Sequence, residues 1–372
     1  MTDARRIACF FSTSGHSGVD RLARHLVPAF ARRGFRVDLL KVRRHGPDLD
    51  PLPPGVEIID LGSRHTYACL PAVVRYLRRA RPAVMLSDKD RVNRTALLAR
   101  FLARVPTRLV FRSGTTLSVD LASRGALERW IQRNSIGRLY PFADKVITVS
   151  EGAAEDMARF TGLAREQIAV VPSPVVPARL FHAQLAQPEH PWFATRDIPL
   201  ILSAGELCGR KDFPTLVRAF ACLRKERPCR LMILGRGSAR EPLLELARTL
   251  GVAEDFALPG FVPDPYAYMA HANLFAFSSR WEGLGFVLIE TLALGTPVVS
   301  TDCPSGPSEI LAQGRFGPLV PVGDHAALAQ AMAETLDQPF PREHLQTAAR
   351  PFEIEAATDA YLRELGLPPR AD

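Results

Sequence analysis

Two glutamates separated by seven residues, Glu282 and Glu290, give the clearest chemical signal in this 372-residue chain. They lie in Ser279-Arg280-Trp281-Glu282-Gly283-Leu284-Gly285-Phe286-Val287-Leu288-Ile289-Glu290, which follows an apolar run suited to a buried strand and opens a helical pattern. Gly283 and Gly285 allow close backbone approach, and the unpaired N–H groups of a helix start offer a site for phosphate or sugar oxygens. Eight residues of helix turn through about 800°, about 80° beyond two full turns, so Glu290 stays near the face that Glu282 borders. Its helical neighbours are almost wholly apolar. A carboxylate there needs a partner, either hydroxyls of a ligand such as a ribose or an arginine of the core.

The elements that must position these residues alternate along the chain. Short apolar, β-branched runs at 5–12, 36–42, 56–61, 83–87, 108–112, 145–149 and 167–171 are separated by helix-length segments, the pattern of a parallel sheet covered on both faces. Pro172-Ser173-Pro174-Val175-Val176-Pro177 then interrupts the periodicity, which returns near Pro199. A second series follows, with strands at 200–204, 230–234, 256–258, 274–277, 298–300 and 318–320. The expected fold is α/β, two doubly wound Rossmann-like domains facing a central cleft, with ligands at the carboxyl ends of the strands. The expected boundaries are 1–172, a linker over 173–198, a second domain over 199–340 and a helical tail over 341–372 that crosses back to the first domain.

Composition excludes several classes. Hydrophobic residues make up 47% and charged residues 23%, as in an ordinary globular protein. No run reaches the roughly 18 apolar residues of a spanning helix, and the apolar stretch after Arg6 is too short for a signal peptide. The six cysteines are scattered without metal-ligand spacing and read as free thiols of a reducing compartment, so the chain is expected to be cytoplasmic. Two acidic triplets, Asp48-Leu49-Asp50 and Asp88-Lys89-Asp90, are not read as metal sites: the first sits in a proline-flanked loop and the second holds a lysine between its carboxylates.

Charge is unevenly divided. Residues 1–180 carry 30 Lys and Arg against 16 Asp and Glu, and residues 181–372 carry 17 against 23. The basic half is suited to an anionic partner. Within it, residues 126–144 interleave Trp130, Ile131, Ile136, Leu139 and Tyr140 with Arg129, Arg133 and Arg138. That pattern fits either a face lying on an anionic leaflet or a core-facing helix with solvated arginines. No nucleic-acid-binding module accompanies the charge.

The paired glutamates, with Gly295-Thr296-Pro297-Val298-Val299 beyond them, resemble the signature of the retaining GT-B glycosyltransferases of family 4. Ser17-Gly18-Val19-Asp20-Arg21 resembles that family's glycine loop before the first helix, and Ser150-Glu151-Gly152 a turn late in its first domain. Ser203-Ala204-Gly205-Glu206-Leu207 and Arg210-Lys211-Asp212-Phe213 resemble the opening of its second domain. Leu234-Gly235-Arg236-Gly237 and Leu258-Pro259-Gly260-Phe261-Val262 resemble the loops around its nucleotide base. Three positions depart from the pattern. Glu206 stands where arginine is usual, Arg112-Ser113-Gly114-Thr115-Thr116 lacks a histidine, with His16 the nearby alternative, and Ser173-Pro174 replaces Asn-Pro.

The resemblance implies transfer of a hexose or N-acetylhexosamine from a nucleotide-sugar, expected to be UDP-linked, with retention at the anomeric carbon and without a metal or other cofactor. The implied acceptor is a glycan or lipid-linked glycan of cell-surface polysaccharide or lipopolysaccharide assembly, reached by peripheral contact with the membrane. It implies Lys211 and Arg210 at the diphosphate, Glu290 at the ribose hydroxyls, and Gly283, Leu284, Gly285 and Phe286 at sugar or phosphate oxygens. Gly205, Gly235, Phe261 and Val262 would surround the nucleotide, Gly18 would admit the phosphates, and Glu282 would stand beside the donor sugar as the catalytic candidate. A nucleotide-sugar epimerase of the same fold and a catalytically weak nucleotide-sugar-binding scaffold are the alternatives; the first would consume donor without acceptor and the second would bind without turnover.

Overall fold

The computed structural model describes residues 3–12, 18–43, 49–122, 124–194 and 197–367. The chain forms two compact units, one made of residues up to Val175 together with those from Phe352 onward, the other of Val176–Pro351.

The first unit is built on a seven-stranded parallel sheet. Its strands are β1 (Asp3–Phe11), β2 (Arg36–Lys41), β3 (Val56–Asp60), β4 (Pro82–Asp88), β5 (Arg108–Ser113), β6 (Lys145–Thr148) and β7 (Ile168–Val170), in the order β3-β2-β1-β4-β5-β6-β7. Ile7, Cys9 and Phe11 pack into one core with Leu22, Leu26 and Phe30 of α1 (Gly18–Arg32). Ala8 and Phe10 point the other way, into a core shared with Val73 and Leu77 of α2 (Leu70–Ala80) and Val92 and Ala96 of α3 (Asp90–Ala103). Burial on both faces explains why β1 reads as a continuous apolar run rather than an alternating one.

The second unit repeats the plan with six parallel strands. They are β8 (Leu200–Ala204), β9 (Arg230–Leu234), β10 (Phe256–Gly260), β11 (Leu274–Phe277), β12 (Val298–Thr301) and β13 (Leu319–Val320), ordered β10-β9-β8-β11-β12-β13. Both sheets are doubly wound, as expected. The chain leaves β8 toward β9 on one side and crosses to β11 on the other, which opens a crevice at the carboxyl ends of β8 and β11.

The joint and the tail differ from the sequence expectation. Residues 173–198 are not a bare linker: a 3₁₀ turn over Ala178–His182 buries Leu180 and Phe181, and a short helix at Pro191–Ala194 buries Phe193. The expected single tail is two segments with different attachments. Helix Arg342–Ala349 belongs to the second unit, where Gln346 Nε2 donates to the carbonyls of Phe181 (2.7 Å) and Ala293 (2.9 Å). Helix Ile354–Glu364 packs on the first unit, with Arg33 paired to Asp359 at 2.7 Å and to Glu355. Amphipathic spacing shows that a segment is helical but not which surface receives it. Among the described residues no helix is long and apolar enough to cross a membrane.

Candidate active site

The crevice at the ends of β8 and β11 gathers a cluster of charged residues of the second unit, Arg210, Lys211, Asp212, Arg280 and Glu282. Past β8 the chain turns through Gly205 and a 3₁₀ turn at Gly209–Lys211 before entering helix Phe213–Glu226. Past β11 it runs through Ser278 to Gly285 into helix Phe286–Ala293. The two loops are tied together: the Arg280 amide donates to the Arg210 carbonyl at 2.8 Å, and Ser278 Oγ to the Lys211 carbonyl at 2.8 Å. Asp212, which caps the first helix in the left-handed region at φ +45°, accepts from Thr215 Oγ1 (2.9 Å) and Arg280 Nε (3.1 Å).

Glu282 is the centre of this cluster and only 6% exposed. One carboxylate oxygen accepts from Lys211 Nζ at 2.7 Å and from Ser279 Oγ at 2.8 Å; the other accepts from Arg210 Nη1 at 2.7 Å. Lys211 is itself buried, its ammonium 4.8 Å from the ring centroid of Phe277, and Arg210 is partly open to solvent. Burial alone would raise the Glu282 carboxyl, but the two cations and the hydrogen bonds from Lys211 and Ser279 hold it below its ordinary range. The neighbouring Cys303 thiol is pushed the other way, to about 12, by burial and by the Glu282 carboxylate. It stays a neutral thiol.

Glycines keep this cluster compact. A Cβ on Gly205 would stand 2.9 Å from Lys211 Cε, so the lysine crosses the ground that a side chain would take. A Cβ on Gly235 would fall 1.8 Å from the Gly205 carbonyl oxygen, and the Gly235 amide donates to the Gly260 carbonyl at 2.8 Å. Close approach between the loops after β8, β9 and β10 therefore depends on Gly235. Beyond Gly260, Phe261 is exposed with the Arg236 guanidinium 5.2 Å from its ring centroid, and Val262 is half-buried.

Glu290 lies on the Phe286–Ala293 helix and is 1% exposed. It accepts from the Tyr266 hydroxyl at 2.9 Å, a partner that the sequence reading did not name. The preceding Gly283, Leu284, Gly285 and Phe286 form the turn into that helix, with Gly285 in the left-handed region at φ +96° and Leu284 buried.

Gly18 stands in the first unit at the start of α1, and a Cβ added there meets nothing within 4 Å among the described residues. His16 and Ser17 lie outside the described residues. Arg112, at the end of β5, is buried rather than offered to a ligand. It pairs with Asp88 and donates to the Tyr361 hydroxyl at 2.7 Å and to Ser173 Oγ at 3.0 Å. Of the two acidic triplets, Asp88 is thus engaged by Arg112 and Asp90 by Arg94, while Asp48 lies outside the described residues. Among the described residues no three His, Cys, Asp or Glu side chains are grouped as a metal site would need.

Gly205, Arg210, Lys211, Glu282 and the Gly283–Phe286 turn are brought together, with Gly235 against Gly205. Glu290 is held separately by Tyr266. Sequence reasoning missed Tyr266 and the roles of Ser279 and Asp212. Ser279, three residues from Glu282, and Asp212, next to Lys211, stood inside motifs that could have revealed them; Tyr266 did not.

Comparison with known proteins agrees with this layout. Residues 198–338 match the family described as Glycosyl transferases group 1, and residues 17–174 match the Glycosyl transferase 4-like domain. The N-acetylgalactosamine-N,N'-diacetylbacillosaminyl-diphospho-undecaprenol 4-alpha-N-acetylgalactosaminyltransferase of Campylobacter jejuni is 32% identical over 282 residues, covering 74% of each chain. The lipopolysaccharide core biosynthesis glycosyltransferase LpsE of Rhizobium meliloti is 36% identical over 178 residues, covering 46% of this chain and 51% of that one. Among solved structures, the apo lipopolysaccharide outer core galactosyltransferase WaaB superposes with a TM-score of 0.77 at 18% identity, covering 97% of this chain and 99% of that one. Anabaena HepE in complex with UDP-glucose superposes with a TM-score of 0.75 at 18% identity over the same shares.

Proposed function

The chain belongs to the group 1 glycosyl transferases, and from that premise we propose that it moves a hexose or N-acetylhexosamine from a UDP-sugar to a glycan or lipid-linked glycan, with retention at the anomeric carbon. The reaction serves cell-surface polysaccharide or lipopolysaccharide assembly on the cytoplasmic side, in peripheral contact with the membrane. Relatives named for lipopolysaccharide core biosynthesis and for a diphospho-undecaprenol-linked acceptor support the acceptor class.

The observation that carries the reading is Glu282 held between Arg210 and Lys211 at the crevice of the second sheet. A departing nucleoside diphosphate needs cations fixed in place before the bond breaks, and these two are so fixed. Arg210 and Lys211, held by Glu282, would offer their remaining N–H donors to the diphosphate, and the amides of Gly283–Phe286 theirs to sugar or phosphate oxygens. Glu282, kept ionised by its neighbours, would then stand beside the positive charge that develops at the anomeric carbon. The acceptor's proton passes to the leaving phosphate oxygen, so no side chain need take it. Side-chain cations and amides supply the charge stabilisation in this scheme, with no metal cofactor assigned. Glu290, oriented by Tyr266, would bind the ribose.

The test is thermal unfolding with UDP, GDP or buffer, on the native chain and on Glu290→Ala. Ligand at about 100 times its dissociation constant adds roughly 2.7 kcal/mol. A UDP-selective shift lost in the variant supports the assignment; a GDP-selective shift overturns the donor. Proton NMR of the product reads the anomeric configuration directly.

A further inference from the structure

Helix α3 carries two apolar stripes, and the fold uses one. Val92, Ala96, Ala99 and Ala103 are buried, whereas Leu98, Phe101 and Leu102 face outward, with Phe101 78% exposed. Phe142 (65% exposed) and Tyr67 (54%) join them around a groove of about 860 Å³. Leu70 lines both this groove and an adjoining one along α2, which Pro71, Val74 and Leu102 complete. A continuous apolar surface of this kind marks an interaction face.

Its charge identifies the partner. Arg94, Arg100 and Arg104 border the first groove and Arg75, Arg78 and Arg79 the second, and among the described residues no aspartate or glutamate lines either. Arg94 and Arg100 pair with Asp90 and Asp144. Among the described residues no carboxylate pairs with Arg75, Arg78, Arg79 or Arg104. A second copy of the chain would set arginines against arginines. An anionic bilayer supplies what both features need, phosphates for the guanidinium groups and hydrocarbon for the rings.

We propose that this face of α2, α3, Tyr67 and Phe142 rests on an anionic lipid leaflet, with Phe101 and Phe142 entering the acyl boundary. The inference deepens the peripheral contact proposed above by giving it an address. That address overlaps the 126–144 segment suggested by sequence only at its end: Leu139 lines the groove and Phe142 belongs to the face, Ile136 and Tyr140 are buried in the core, and Trp130 and Ile131 are exposed elsewhere on the segment.

Co-sedimentation of the full chain with vesicles of phosphatidylcholine alone, or mixed with phosphatidylglycerol, tests it. The chain is expected to pellet with the anionic vesicles and to be released by salt. Each arginine neutralised lowers the partition about fivefold, so Arg75→Gln/Arg79→Gln/Arg104→Gln lowers it roughly a hundredfold. Phe101→Glu lowers it at least about tenfold. The UDP-induced unfolding shift, measured on every variant, reports the fold and the donor site separately. Vesicle binding lost with that shift retained supports the face. No binding by the native chain, or variants that bind like it, overturns the proposal whatever the UDP result. A native dimer dissolved by Phe101→Glu with vesicle binding unchanged overturns it in favour of a second copy.

Discussion

Lys211 Nζ and Glu282 Oε1 stand 2.7 Å apart inside the second unit, and Arg210 closes on the other carboxylate oxygen at the same distance. The carboxylate therefore holds both cations that the proposed mechanism gives to the donor diphosphate. It acts as their counter-ion until an anionic ligand arrives.

Glu282→Gln should separate binding from turnover. The amide keeps the shape but gives up the charge, so the cations are freer for phosphate oxygens. The expected outcome is a UDP dissociation constant unchanged or tightened severalfold, with transfer reduced at least about a hundredfold. Titration calorimetry beside a donor-consumption assay reads both. Weakened UDP binding would show that Glu282 assists the nucleotide instead of competing with it.

The same pair sets an acid limit. The Glu282 carboxyl is held below its ordinary 4.5, so its contribution to stability is complete above that value and is lost as pH falls through the depressed folded-state value. Urea unfolding of the native chain and Glu282→Gln should show a stability gap that is constant near neutrality and closes only on the acid side. Arg210 is partly exposed, which moderates the gap. A gap that closed between pH 6 and 8 would point to a different group.

Tyr266→Phe removes the hydroxyl that orients Glu290. One hydrogen bond to a carboxylate is worth about 1–3 kcal/mol, so the UDP dissociation constant should rise about fivefold or more, without reaching the loss expected for Glu290→Ala. Equal affinity in Tyr266→Phe and the native chain would mean that the phenol serves packing alone.

Two alanine substitutions should divide structural from ligand-driven glycine. Gly235→Ala places a Cβ where the Gly205 carbonyl oxygen stands, and should lower stability by about 2 kcal/mol or more. Gly18→Ala meets nothing within 4 Å among the described residues and should leave the unfolding midpoint unchanged. Any loss of donor turnover in Gly18→Ala then reports a ligand approaching that backbone.

In the first unit, Asp88→Asn leaves the buried Arg112 guanidinium without its carboxylate. Breaking a buried ion pair in this way costs about 3–5 kcal/mol, which calorimetry should register as a large drop in unfolding temperature.

Much of this was legible in the sequence because period and spacing are local. The runs at β1 and β8 announced doubly buried strands, and Glu282 and Glu290 announced themselves by their distance apart. What stayed hidden joins residues remote in sequence. Tyr266 reaches Glu290 from another helix, and the Arg112 quartet draws on β4, β5, the proline-rich joint and the Ile354–Glu364 helix. Glu282 was visible as a carboxylate but not as the counter-ion of Arg210 and Lys211, because pairing is fixed by how two loops meet. The outward stripe of α3 was hidden for another reason. Apolar residues on two faces of a helix do not say which face the core will take.

The return of residues 352–367 to the first unit makes that unit discontinuous along the chain. During synthesis its seven strands emerge long before the segment that supplies Tyr361. The Arg112 guanidinium must wait for a phenol encoded 249 residues later. The second unit, uninterrupted over Val176–Pro351, is encoded entirely before that segment. The unit written first is thus the one finished last, and a ribosome stalled near residue 350 would hold a second unit whose own residues are all made beside a first unit still missing its closing helix.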